Sequence, residues 1–221
     1  MTDLMPQATP VSPLFDLLGG LQPAWEEGDQ GALPKHFGDP AGEAAQARVL
    51  GVADVSCQRR WGGKGPGAAA WLAGRGLPVP ETPNTWAPLA QGGRVLRLGR
   101  SEFLVEGPAD PLDALCLAEP GVRVYPVLRQ DAALMLQGEA LPSLLAQVCS
   151  VNFASLDLAA RPVVLTSMAG VTVTVLPGSA GGLPQYRLWC DGTYGPYLWR
   201  TLTAIAAELG GGPVGLDALA S

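Results

Sequence analysis

Apolar residues along this chain recur with two periods. Leu198, Leu202, Ile205 and Leu209 stand at i, i+4, i+7 and i+11. That is the spacing of one helical face, and it predicts a helix over residues 196–209. Leu144, Leu145 and Val148 share a face in the same way and predict a helix over 141–148. Alanine-rich stretches at 42–48 and 68–72 read as shorter helices. Pro66 suits the opening of the second, and Gly74 and Gly76 end it. Residues 111–117 predict another short helix, and Leu14, Phe15, Leu17 and Leu18 offer an apolar face for one or two turns within 13–21.

The second period is that of strands. Segments 49–55, 122–128 and 186–190 read as single strands, 94–98 with 102–105 as a hairpin, and 162–167 with 171–176 as a β-branched pair. Residues 131–136 lead into Gly138. Residues 25–34 are acidic and glycine-bearing and read as a loop, as does Gly62-Gly63-Lys64-Gly65-Pro66-Gly67. Arg59 and Arg60 fall in a polar turn before that loop. Four prolines between 78 and 88 predict an extended connector, and residues 1–12 read as a mobile leader.

These elements repeat. Gly65 precedes Leu72 by the same seven residues that separate Gly138 from Leu145. Asp54 and Asp131 each follow a short strand, and are expected to occupy matching places in the two halves. The expectation is an α+β fold made of duplicated β-α-β-β-α units. It divides into an N-terminal segment (1–32), a first subdomain (33–120) and a second (121–221) within one folding unit.

Charge and cysteine usage narrow the function. Fourteen Lys and Arg against 20 Asp and Glu give a formal net charge of −6, which argues against nucleic-acid binding. No run of about 18 apolar residues points to a membrane span. The first residues lack the basic and apolar regions of a secretory signal, so a cytoplasmic location is expected. Cys57, Cys116, Cys149 and Cys190 are far apart in sequence and read as structural thiols rather than a metal or redox site. His36, the single histidine, lies in a Pro/Gly loop and reads as structural.

Three groups remain as candidates. Arg59, Arg60 and Lys64 could meet an anionic tail or an acidic surface, or could be solvated turn charges. Asp54 and Asp131 could serve chemistry, or could cap turns. Tyr186, Trp189, Tyr194, Tyr197 and Trp199 form a dense aromatic group in the sequence. It could pack a core, present a partner-binding patch, or stack on a ring.

Two stretches carry a family resemblance. PKHFGDPAGEAAQARVLGVADVS (residues 34–56), with the glycine loop that opens a helix at 65–72, resembles the folate-binding aminomethyltransferases, of which the glycine cleavage T-protein is a member. VLRQDAALMLQG (127–138), VCSVNF (148–153) and the YLWRTL helix (197–202) look more like the γ subunit of heterotetrameric sarcosine oxidase. The resemblance implies two swapped α/β subdomains in one folate-binding-type unit, with no length left for the transferase's extra C-terminal barrel. It also implies one-carbon or methylated-amine metabolism. The transferases carry a catalytic Asp on a strand after a Gly-Gly pair; here Gly92-Gly93 is followed by Arg94. They also hold the pterin edge with a Glu in a glycine-rich loop, and residues 177–186 contain no carboxylate.

The sequence therefore points to a non-catalytic protein similar to the sarcosine oxidase γ subunit, supporting a flavin- and folate-dependent oxidase. Its expected partners are other oxidase subunits or a second copy of itself. The alternative is a stand-alone tetrahydrofolate-binding, aminomethyltransferase-like enzyme. Asp54, Arg59, Arg97 and Asp131 are the candidate ligand-binding residues. Tyr186, Trp189, Tyr197 and Trp199 are the candidate partner-binding residues, and no metal site is expected.

Overall fold

The computed structural model of the chain describes residues 11–28 and 31–219. The leader expected over residues 1–12 thus lies almost wholly outside the described residues. In chain order the elements are α1 (Phe15–Gly19), β1 (Ala24–Gly28), β2 (Gly31–His36), α2 (Pro40–Leu50), β3 (Gly51–Asp54), β4 (Arg60–Lys64) and α3 (Ala68–Ala73). Then come β5 (Thr85–Pro88), β6 (Arg94–Arg97), β7 (Glu102–Glu106), α4 (Ala109–Leu117), β8 (Tyr125–Val127), β9 (Asp131–Gln137) and α5 (Leu141–Val148). The chain continues through β10 (Val164–Met168), β11 (Val171–Leu176), β12 (Ser179–Ala180), β13 (Leu183–Asp191), α6 (Gly195–Glu208) and β14 (Gly212–Pro213).

Two sheets form the body. The smaller runs β5-β6-β7-β4-β8; the larger runs β10-β11-β13-β9-β3-β14, with β12 paired to β13. Strands are exchanged between them. β3, from early in the chain, pairs with β9, and β8, which follows α4, pairs with β4.

Alternation along the strands sets the layers. In β7, Phe103 and Val105 join Trp61, Leu72 and Leu112 beneath α3 and α4, whereas Leu104 faces the other way, with Leu96 and Trp189. In β13, Leu188 and Cys190 pack under α5 and α6 with Leu144, Leu198 and Leu202, while Trp189 faces the smaller sheet. The result is four layers: helices, sheet, sheet, helices. The inner faces of the two sheets meet each other, and Glu106 and Arg187 fall on those faces by the same alternation.

The structure corrects several expectations. Ala24–Gly28 and Gly31–His36 pair as antiparallel strands, β1 with β2, where a loop was expected over residues 25–34. Residues 60–64 are a central strand, β4, not a turn and glycine loop. Its glycines serve close approach: a Cβ at Gly62 would meet the Arg129 side chain at 2.7 Å, and one at Gly63 would enter the Trp61 ring. The proline-rich connector ends as an edge strand, β5. Asp54 and Asp131 do not match, because Asp54 closes β3 while Asp131 opens β9. Gly65 and Gly138 share one local geometry. Each has positive φ (122° and 137°), and a Cβ on either would run into a backbone oxygen, of Arg123 just before β8 or of Val49 just before β3.

Candidate functional site

The space between the sheets contains a buried ion network. Glu106, 2% exposed, closes β7 and points at β13. Arg187 Nε lies 2.8 Å from its Oε1, Arg187 Nη2 donates to Oε2 at 3.0 Å, and the Trp189 indole N–H donates to the same oxygen at 3.0 Å. Arg187 Nη2 also donates to Gln58 Oε1 at 2.7 Å. Arg94 reaches Glu106 at 3.4 Å and Arg60 Nε comes within 3.9 Å. Three guanidinium groups therefore share one carboxylate. Burial, with Arg94 and Arg60 nearby, lowers the Arg187 pKa to about 10 against the pull of Glu106. The Nη2 and indole hydrogen bonds, with the close Nε contact, offset part of the desolvation of these charges and tie one sheet to the other.

Beside the network the sheets part into an open cleft of about 1190 Å³. One wall is apolar and comes from α4 and β8: Leu115, Val124, Val127 and Leu128. Polar lining comes from Arg129 and Asp131 at the start of β9 and from Asp191 and Thr193 at the end of β13. Arg60 lies at the junction. Its guanidinium is committed to backbone carbonyls, with Nε 3.2 Å from Gln58 O, Nη1 3.1 Å from Asp131 O, and Nη2 on Ser56 O. Arg129 Nη2 pairs with Glu102 Oε1 at 2.9 Å. Burial raises the Asp131 pKa, opposed by Arg129 and Arg60 and reinforced by Asp191. Trp61 and Trp71 stack at 5.3 Å along the cleft, and Arg75 covers the Trp71 ring at 3.8 Å.

The candidate ligand residues scatter. Asp131 lines the cleft; Asp54, Arg59 and Arg97 do not. Asp54 is fully buried and accepts from Ser12 Oγ at 2.5 Å, Ser56 N at 2.9 Å and Ser56 Oγ at 2.5 Å. Burial raises its pKa against these bonds. Arg59 pairs with Asp113 at 2.6 Å, and Arg97 holds the carbonyls of Pro80, Glu81, Gly99 and Arg100. The candidate partner residues do not form one surface either. Tyr186, Trp189 and Trp199 are buried, and of the four only Tyr197 is exposed, with its hydroxyl on Ala169 O.

Sequence reasoning missed Glu106, Arg187, Arg129 and Asp191. The available signal was a charge at an inward-facing position of an apolar strand, as in Phe103-Leu104-Val105-Glu106 and Tyr186-Arg187-Leu188-Trp189. Seeing it required knowing that both faces of each sheet are covered.

The fold, two helix-backed sheets with exchanged strands, is the one that the resemblance implied. The chain is similar over 96% of its length to glycine cleavage system aminomethyltransferase T from Bartonella henselae, with a TM-score of 0.72 and 14% sequence identity. It spans 61% of that protein's length. It is also similar, over 92% of its length, to a chain of heterotetrameric sarcosine oxidase from Corynebacterium sp. U-96, with a TM-score of 0.63 and 22% identity. There it covers 97% of the other chain. No protein-family model matches the sequence, and no curated protein does. At these identities the likeness establishes the fold alone.

Proposed function

We propose that this protein is a non-catalytic subunit, similar in role to the γ subunit of sarcosine oxidase, supporting a flavin- and folate-dependent oxidase of methylated amines in the cytoplasm. We read its halves as two copies of one unit joined by the strand exchange. The observation that carries the subunit reading is an edge of the smaller sheet on which no strand lies among the described residues. β8 is its terminal strand, and Leu117, Val122 and Leu128 beside it are 86%, 88% and 80% exposed, with Tyr125 at 55%. Large apolar side chains grouped along one sheet edge mark a contact surface. The ion network supports the non-catalytic part of the reading. The residue after the Gly92-Gly93 turn is an arginine bound to a buried glutamate, which leaves no free acid there. The heterotetrameric neighbour supports the expectation of other subunits as partners over a second copy of this chain.

A stand-alone tetrahydrofolate enzyme is the second reading, and the size of the cleft favours it. Two measurements separate the readings. Titration with tetrahydrofolate and 5-formyltetrahydrofolate, followed by tryptophan fluorescence and calorimetry, is expected to show no saturation below about 1 mM. Saturation near ~10 μM would establish a folate pocket and favour the enzyme. Light scattering of the tagged chain purified from its own cells is expected to give a mass well above the chain's 22.8 kDa. Leu128→Asp should return it to the monomer with stability unchanged within about 0.5 kcal/mol. A wild-type monomer would sink the subunit reading.

A further inference from the structure

The sheet edge at β8 carries a charge as well as apolar side chains. Residues 55–80 and 120–130 supply the paired strands β4 and β8. They contain Arg59, Arg60, Lys64, Arg75, Arg123 and Arg129 and not one Asp or Glu. The rest of the chain sets eight Lys and Arg (14 − 6) against all 20 acids. A basic edge thus stands on an acidic protein.

Half of these cations are engaged within the chain: Arg59 with Asp113, Arg60 beside Glu106 and Asp131, and Arg129 with Glu102. Lys64, Arg75 and Arg123 are exposed and make no ion pair among the described residues. All three border the apolar group. Lys64 opposes Tyr125 directly in the β4–β8 ladder, and Arg123 lies between Val122 and Val124. Arg75 stands over the Trp71 ring at 3.8 Å, and the Trp71 indole donates to Glu119 O at 3.3 Å, just past Leu117. Glu119 itself is exposed. Glu102, which opposes Lys64 across the β4–β7 ladder, is taken by Arg129.

Backbone pairing does not suit this edge. β8 has three residues, its central one is Pro126, and Arg123 just before it turns the chain with φ 61°. An incoming strand would leave most of its own groups unpaired. A helix satisfies its backbone internally and docks through side chains alone. A second copy docking symmetrically would set these cations against themselves.

We infer that the β8 edge docks an amphipathic helix of another chain, its apolar face on Val122, Tyr125 and Leu128 and its flanking carboxylates on Lys64, Arg75 and Arg123. This rests on the subunit reading and adds the chemistry of the partner. Opposed charge orients the helix, and the apolar contacts hold it.

Two labelled peptides test this by fluorescence anisotropy with the whole protein: a helix with one leucine face flanked by glutamates, and the same helix with lysines in their place. The glutamate peptide is expected to saturate with Kd below about 100 μM, and the lysine peptide to bind at least about tenfold more weakly. Arg123→Glu combined with Lys64→Gln, both at exposed positions, should raise the glutamate peptide's Kd about tenfold. Arg200→Glu, exposed on α6 in the opposite helix layer, should leave it unchanged. No saturation at about 1 mM, equal binding of the two peptides, an unchanged Kd in the double variant, or an equal loss in Arg200→Glu would each overturn the proposal. So would a dimer of the purified wild-type chain that Leu128→Asp dissociates, since a second copy would then hold the edge. Failure with the peptides alongside a partner-bound mass in light scattering would leave the subunit reading standing and put the partner on another face. A wild-type monomer that still binds the glutamate peptide would sink the subunit reading and keep the docking edge.

Discussion

The two sheets share a strand order up to the exchanged strand: β5-β6-β7-β4 followed by β8, and β10-β11-β13-β9 followed by β3. Gly65 and Gly138, which share one local geometry, are 73 residues apart (138 − 65), and that offset serves to compare the exchanged strands. At that offset Val55 matches Leu128 and Val52 matches Tyr125. Val55 and Val52 are 1% and 0% exposed, whereas Leu128 and Tyr125 are 80% and 55% exposed. The difference lies in the outer neighbour of each exchanged strand. β14 pairs with the outer side of β3 in parallel, and α2 and the 216–218 turn close over it. β8 has no strand beyond it among the described residues. Pro126 sits within this open edge and removes one backbone donor, which discourages indiscriminate strand addition. The same architecture thus supplies one sealed edge and one apolar edge whose contacts must come from side chains.

The largest expected effect comes from uncoupling the sheets. Glu106→Gln leaves Arg187, Arg94 and Arg60 without their shared counter-charge, and should cost about 3–5 kcal/mol in chemical denaturation. A loss under ~1 kcal/mol would mean that the apolar contacts around Trp189 and Leu104 hold the sheets together without the network. Next come the matched glycines. Gly65→Ala and Gly138→Ala should each cost about 2–3 kcal/mol, from positive φ and a backbone collision. Similar losses would support equivalent exchange sites. A much smaller loss at Gly65 would mean that the open β8 edge yields where the sealed β3 edge cannot.

The smallest effect concerns pH. Asp54 closes β3 fully buried, while Val127, its match in β8, does not titrate. Burial raises the folded pKa of Asp54 above its ordinary 3.8, so the folded state holds the extra proton. Stability from this source is present at low pH and falls as pH rises from about 4 through the folded value. Asp54→Asn should flatten that decline. An identical slope in wild type and variant would show that Asp54 titrates in the protein as it does unfolded.

Much of this architecture was legible in the sequence. The faces of α5 and α6 and the β6–β7 hairpin were readable because each element buries one side against a continuous core. The Gly65–Leu72 and Gly138–Leu145 spacing picked out two glycines that share positive φ and a close backbone contact. β4 was not readable, because Gly62 and Gly63 signal a turn locally while their purpose is set by Arg129, far along the chain, and by the Trp61 ring. The candidate site was mostly hidden for the same reason. Glu106 and Arg187 are 81 residues apart, and Asp131 faces Asp191 only through strand register. Composition and local period carry no record of either pairing.

The strand exchange also governs how the chain can be made. Asp54 pairs with Leu134, synthesised 80 residues later (134 − 54), and Gly62 with Val127. Neither sheet can close while the polypeptide has emerged only as far as α4. A nascent chain of that length carries β3 without its ladder partner and β4 without one of its neighbours, both hungry for hydrogen bonds. β8 completes the smaller sheet and β9 gives β3 a ladder partner, but the larger sheet closes only when β10, β11, β13 and β14 have followed. The halves are therefore expected to fold as a pair, late in translation, and a ribosome stalled near residue 120 would present an aggregation-prone intermediate in place of a finished domain.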